Sequence, residues 1–392
     1  MRFLCCCPPL EGLIHPLLPL AAALVDAGHE VRIATGPSAH ERIRGMGFIP
    51  LVAGASQSEA AAAAAQLPGL ADLPAAEMWR LAIAMFANVI APAQLRDLDR
   101  IVSEWRPNVV VSVPMALAAP LAARLAGIPA VTQGFGLLPR PEMLQALAGA
   151  VAPLWQSRGL DAPTTRDMFG SLYLDPVPPS LQPDVADGQL ARVVRMRLET
   201  PVPPGAALPA WADQLGSRPV VYISLGTVPP FSQPSLFTAI LRGIEQHAVE
   251  VVVTIGEQNE ISSLGQQPPN VHMERWLPLP LLLPRCTAAI CHAGSGTTLA
   301  ALAAGLPLLL LPQGADQFDN AAACVRARVA RVLTPDVFSP KSISTELSAL
   351  LSDARYRVAA QHVRDEIQRM SAPAEVVPLL KELVRQHVPN AA

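Results

Sequence analysis

The chain has 392 residues, 29 Lys and Arg against 32 Asp and Glu for a formal charge of −3, and 51% apolar composition. That length exceeds what one hydrophobic core organises, so two domains are expected. The near balance of charge, with no basic cluster, excludes the field that gathers nucleic acid or an anionic membrane.

The opening RFLCCC reads as a short buried strand, although Arg2 followed by apolar residues imitates a secretory leader. Pro8, Pro9 and Glu11 break that run, and no small-residue cleavage site follows. PPLEG reads as a turn, HPLLPLAAALVDAG as a helix stopping at Gly28, and HEVRIAT as a second strand. Residues 54 to 93 have scattered Gly and Pro without strand periodicity and are expected to form helices and loops. DLDRIVSEWRP is amphipathic and helical, NVVVSV a β-branched strand, MALAAPLAARLAG a helix ending at Gly127, and IPAVTQ another strand. Strands apolar on both faces that alternate with helices belong in a parallel sheet covered on each side. Proline then thickens at 174 to 183 and in ETPVPPGAALP, residues 199 to 209, where missing amide donors discourage regular structure.

After that segment the alternation restarts: VVYISLG, a helix over 234 to 247, VEVVVTIG, VHMERW, AAICHAG, a helix TTLAALAAG, PLLLLP and a helix from 317 to 327. The expected domains are 1–198 and 218–392, joined by a proline-rich linker at 199–217, and their strands' carboxyl ends would face a central cleft. The final PAEVVPLLKELVRQH could pack in the second domain or cross back to the first. The longest leucine runs, 277 to 284 and 306 to 312, fall short of the ~20 residues a spanning helix needs. The six cysteines, at 5, 6, 7, 286, 291 and 324, form no C-x-x-C pair, and three neighbours on one strand cannot bridge one another. A soluble, cytoplasmic protein without a metal centre is expected.

Chemistry concentrates in AICHAGSGTTLAALAAG, a strand, a Gly/Ser-rich turn and a helix start. Gly294 and Gly296 let the backbone approach a ligand, and the amides of Ser295 to Thr298 would point outward at the positive end of the helix. That is a phosphate seat, though a tight turn capped by Ser or Thr has the same sequence. It matches neither the G-x-G-x-x-G dinucleotide pattern nor a P-loop. VYISLGT adds Ser224, Gly226 and Thr227 at the end of a strand. Trp276 stands sixteen residues before His292, and ADQFDNA follows the next strand.

With these intervals the chain resembles the inverting, nucleotide-sugar-dependent glycosyltransferases of the two-domain GT-B fold, family 1. It is most similar to the bacterial branch that decorates macrolides, aromatic polyketides and enediynes. The resemblance implies an α/β fold of two Rossmann-like domains and a dTDP- or UDP-sugar co-substrate with no cofactor or metal. It further implies a hydrophobic aglycone as acceptor, bound by the first domain. Trp276 would stack on the pyrimidine, the backbone at Leu277 would pair with its edge, and His292, Gly294, Ser295, Gly296 and Thr297 would hold the diphosphate. Asp316 and Gln317 would contact sugar hydroxyls. Residues 67 to 90 and 134 to 170, with Phe135, Met143, Trp155 and Phe169, are candidate acceptor walls, and ordinary packing explains each of them equally well. A homodimer stays open.

In the family the loop after the first strand reads G-H-x-x-P, its histidine being the base that deprotonates the acceptor and an aspartate after a later strand orienting it. Here those positions fall on Leu13 and Val113. His15 lies two places on, about 200° round a helix, and reads as a residue that starts a helix before Pro16. His15 and Glu11 remain the candidate catalytic residues nearest the expected position. An acceptor acidic enough to need little base help is the alternative. Rival functions are a nucleotide-sugar epimerase of the same fold and a donor-binding helper that has lost the base. A dinucleotide-dependent oxidoreductase lacks its glycine fingerprint.

Overall fold

The computed structural model describes residues 1–64, 78–182, 190–203, 205–227, 232–257 and 259–387. Its contacts divide the chain into two units: Met1–Pro176 with Asp184–Pro201 and Ser371–Ala392, and Val177–Pro183 with Val202–Met370.

In the first unit seven parallel strands form one sheet: β1 (Arg2–Cys6), β2 (Glu30–Thr35), β3 (Ile49–Val52), β4 (Val109–Ser112), β5 (Ala130–Gln133), β6 (Leu172–Asp175) and β7 (Val193–Arg195). Their order is β3-β2-β1-β4-β5-β6-β7. Phe3 to Cys7 are fully buried because β1 lies inside the sheet with covering helices on both faces. β3 carries Pro50, which an edge strand tolerates because one side of its ladder needs no donor.

The first helix differs from expectation. It begins at Glu11, after an extended Leu10, and runs as Glu11–Ile14, a 3₁₀ turn His15–Leu17 and then Leu18–Asp26. Pro16 and Pro19 have no amide to donate to the carbonyls four residues back, so the tighter turn replaces the missing α-helical bonds. Gly28 follows with φ +79°, the left-handed conformation that closes the helix.

The helix expected at DLDRIVSEWRP is present and continues back into the stretch expected to hold helices and loops, as one helical run Trp79–Trp105 whose 27 residues are long and apolar enough, by length and composition alone, to cross a membrane. Phe86, Ala87, Ile90, Leu95, Leu98 and Ile101 on it belong to the first unit's core, as expected of a core helix. Between Phe86 and Ile90 the helix widens into a π turn. The last helix, Pro373–Gln386, packs against Leu18–Asp26 and puts Val376, Val377 and Leu380 into the same core.

The second unit repeats the plan with β8 (Val220–Ser224), β9 (Glu250–Thr254), β10 (Val271–Glu274), β11 (Ala288–Cys291), β12 (Leu308–Leu310) and β13 (Ala330–Val332), all parallel, in the order β10-β9-β8-β11-β12-β13. Both sheets reverse direction of growth at their first strand, between β1 and β4 and between β8 and β11. The crevice at such a switch point, outside the carboxyl ends of the strands, is where doubly wound sheets hold ligands.

Candidate functional site

Register brings the second unit's motifs together. Ser224, the last residue of β8, pairs with Cys291, the last of β11, so the turn through Gly226 stands beside His292. The Cε1–Nε2 edge of the imidazole lies close to two glycines. A Cβ built on Gly226 would sit 2.6 Å from both Cε1 and Nε2 of His292, and one on Gly294 would come within 2.8 Å of Cε1 and closer still to Nε2. Gly226 also needs φ +78°, whereas Gly294 is extended at φ −65°. Only 9% of His292 is exposed, and Nδ1 makes no hydrogen bond. Burial holds the pKa of His292 below the ordinary histidine value, an effect that the Asp316 carboxylate and the Ser224 backbone partly oppose.

The helix Ser295–Ala303 opens on Gly294 with no side-chain cap. The Thr298 amide bonds the Gly294 carbonyl at 3.0 Å and enters the helix ladder, so the expected set of outward amides shortens to Ser295, Gly296 and Thr297. A glycine cap leaves such donors to an outside acceptor. A Cβ on Gly296 would meet no protein atom within 4 Å, so its smallness serves nothing inside the protein. On the β8 side, Ser224 is buried with its hydroxyl 3.4 Å from the Gly226 amide, and Thr227 is exposed.

Beyond β10, Trp276 is 48% exposed while Leu277 beside it is buried. Asp316 stands at the N-cap position of the helix Gln317–Arg326 without a side-chain cap bond, and its Oδ2 accepts from the Ser295 hydroxyl at 2.7 Å. Gln317 is buried, its Oε1 accepting from the amides of Gln313 (2.8 Å) and Gly314 (3.3 Å).

In the first unit, Leu13 and Val113 are 6% and 1% exposed and belong to the core. Glu11 and His15 face one another one helical turn apart, Nε2 lying 3.3 Å from Oε2, and the other Glu11 oxygen contacts Arg42. His15 therefore does not start the helix, and burial lowers its pKa. Of the acceptor-wall candidates, Trp155 and Phe169 are core residues while Phe135 and Met143 are half-buried. Residues 67 to 77 of that proposal lie outside the described residues. Among the described residues, no group of three or more His, Cys, Asp or Glu is placed to hold a metal ion.

The N-terminal and C-terminal domain models of the family described as erythromycin biosynthesis protein CIII-like match residues 22–226 and 238–383. The chain belongs to this family. It is 31% identical to an L-demethylnoviosyl transferase of Streptomyces niveus, over 99% of this chain and 100% of the relative. The elloramycin glycosyltransferase ElmGT of Streptomyces olivaceus is 30% identical, with 97% of each covered. Spinosyn rhamnosyltransferase SpnG, solved with thymidine diphosphate, superposes with a TM-score of 0.81 at 27% identity over 97% of this chain and 100% of that one. These likenesses make the chain a GT-B glycosyltransferase of natural-product biosynthesis.

In this glycosyltransferase one residue of the second unit escaped the sequence reading. Asn320 is buried on the first turn of the helix Gln317–Arg326, and its Nδ2 lies 2.9 Å from the Ala293 carbonyl, 3.0 Å from Ser295 Oγ and 2.9 Å from Asp316 Oδ2. Its spacing from Gln317, three residues along a helix, was the available signal. What the sequence did not reveal is that Ala293 adopts φ +64°, which turns its carbonyl toward that helix.

Proposed function

We propose that the chain moves a sugar, in the leading reading a deoxysugar, from a dTDP- or UDP-sugar to a hydrophobic natural-product acceptor, with inversion at the anomeric carbon and no resident metal. The observation that carries this reading is the uncapped helix mouth at Gly294, set against Gly226 and His292 at the switch point of the second sheet. When the nucleoside diphosphate leaves, negative charge grows on its β-phosphate. Three peptide amides and the helix dipole stabilise that charge more in the transition state than in the ground state. The names of the relatives support the same reading: SpnG was solved with thymidine diphosphate and with spinosyn aglycone.

In this scheme 218–370 holds the donor and 1–198 the acceptor, 199–217 joins them, and the last helix, Pro373–Gln386, returns to the acceptor part. Trp276 stacks on the pyrimidine and the Leu277 backbone meets its edge. Ser224, Gly226, Thr227, His292 and the amides from Ser295 to Thr297 take the diphosphate. The Ser295 hydroxyl and Asp316 Oδ2 are committed to one another, which leaves the Ser295 amide and Asp316 Oδ1 for the ligand. With Gln317 Oε1 holding two loop amides, its NH₂ is the group left to donate to a sugar hydroxyl. Leu13 and Val113 supply no base, so an acceptor hydroxyl of phenolic acidity suits the chain.

The test is calorimetric titration with thymidine and uridine diphosphates, followed by mass-spectrometric detection of transfer from TDP-glucose to a panel of phenols and macrolactones. Folded protein that binds neither diphosphate refutes the proposal.

A further inference from the structure

Two backbone loops meet at the donor site of the second unit, and both are held in a conformation that alanine disfavours. Ala293 has φ +64° in the loop that leads to the helix mouth, and Ala315 has φ +53° in the loop that leads to Asp316. A left-handed residue with a Cβ is sterically disfavoured and persists where its surroundings fix it. The fixing groups come from one helix. Gln317 accepts from the amides of Gln313 and Gly314, pinning the approach to Ala315. Asn320, three residues along, reaches the Ala293 carbonyl, Ser295 Oγ and Asp316 Oδ2 with a single NH₂.

The proton directions in this cluster are constrained. Asp316 can only accept when ionised, so the Ser295 hydroxyl donates to it at 2.7 Å. Ser295 Oγ is thereby left to accept from Asn320, whose two hydrogens are shared among three acceptors. Asn320, Ser295 and Asp316 form a closed triangle, with Asn320 and Ser295 buried. A buried polar triangle with every member satisfied is rigid, and losing one corner leaves the others short of a partner.

From this we infer that Asn320 is a positioning residue that locks the diphosphate seat to the sugar-contacting carboxylate. Asp316 Oδ1 is aimed only while Oδ2 is held from two sides, and both holders belong to the triangle. The inference rests on the donor assignment above, in which Ser295 offers its amide to the diphosphate and Asp316 its free oxygen to the sugar. It predicts that the two halves of the donor are recognised cooperatively through a residue that touches neither.

The experiment measures dissociation constants for thymidine diphosphate and for intact TDP-glucose by calorimetry, in wild type, Asn320→Ala, Asp316→Ala and the double variant. Asn320→Ala is expected to worsen the ratio of TDP-glucose to TDP affinity about tenfold, the loss of one charge-assisted contact. Asp316→Ala should worsen it similarly, and the double variant should be no worse than either single one. A residue that only stabilised the fold would weaken both ligands alike and leave the ratio unmoved. Ser295→Ala, which keeps the amide and removes the bridging hydroxyl, is the companion variant should Asn320→Ala fail to fold, and the same tenfold shift is expected of it. An unchanged ratio, or losses that add fully in the double variant, overturns the inference while the donor site stands. Wild-type protein that binds no thymidine diphosphate removes the donor assignment and the inference with it.

Discussion

Gly294→Ala separates steric from conformational demands at the site. The backbone there is extended, at φ −65°, so alanine meets no backbone penalty. Its Cβ would stand 2.8 Å from His292 Cε1 and 3.2 Å from Cδ2, where ordinary contact begins at 3.4 Å. The ring has to move by about half an ångström or more, and its Cε1–Nε2 edge, which also runs close to Gly226, is already confined by burial. Overpacking of this kind in a buried setting costs about 1–3 kcal/mol. Denaturant unfolding of Gly294→Ala should show that loss, and calorimetry should show thymidine diphosphate binding at least tenfold weaker. Removing the ring removes the clash, so His292→Ala combined with Gly294→Ala should be more stable than the sum of the single losses predicts. Stability within ~0.5 kcal/mol of wild type in the single variant, or strict additivity in the pair, would refute the picture of an imidazole edge that only glycine can stand beside at position 294.

Trp276→Ala should leave stability nearly unchanged, since half of the side chain is exposed. It should weaken thymidine diphosphate by ~1–3 kcal/mol if a base stacks there, and untouched affinity in a titration would move the base elsewhere. The folded-state pKa of His292 lies below its unfolded value, so its neutral form contributes stability that is present above the ordinary histidine pKa and is lost as pH falls below it. Unfolding free energies between pH 7.5 and 5 should therefore decline more in wild type than in His292→Asn, and equal slopes would count against it. Burial raises the thiol pKa of Cys7 and Cys286 to about 12 and of Cys291 to about 11, and raises those of Cys5, Cys6 and Cys324 as well. Iodoacetamide at pH 8 should label none of the six rapidly in native protein and all of them after denaturation, with mass spectrometry as the readout.

Legibility followed the range of the interactions. Short β-branched runs such as Val109–Ser112 and Glu250–Thr254 announce a buried parallel strand, because a strand covered on both faces has little use for polar residues. β6 and β7 were hidden by the proline that surrounds them, and β3 by Pro50, which only its edge position permits. The turn from His292 to Thr297 could be read because a glycine-opened helix mouth is a local device. Its partner could not. Asn320 acts through a left-handed alanine 27 residues away, and nothing local compels Ala293 to that conformation. The apolar stripe of Pro373–Gln386 was evident, while the unit it would join was decided by tertiary packing.

At the first helix the doubt about His15 rested on a local picture that the structure changes. His15 stayed a candidate base but read as a residue that opens the helix, whereas it sits a full turn in, tied to Glu11 and through Glu11 to Arg42. Burial lowers its pKa, which favours the neutral form a base requires, yet Nε2 faces the Glu11 carboxylate and Leu13, at the expected base position, belongs to the core. Deprotonation by a positioned base is worth about 100- to 10,000-fold, so replacing a true base would be unmistakable. His15→Gln is expected to keep transfer to a phenol within about tenfold of wild type, and kcat/KM across a series of substituted phenols should rise with pH until each acceptor's own ionisation is complete. A loss of 100-fold or more in His15→Gln, with a pH profile that is the same for every acceptor, would return the reaction's proton to the histidine.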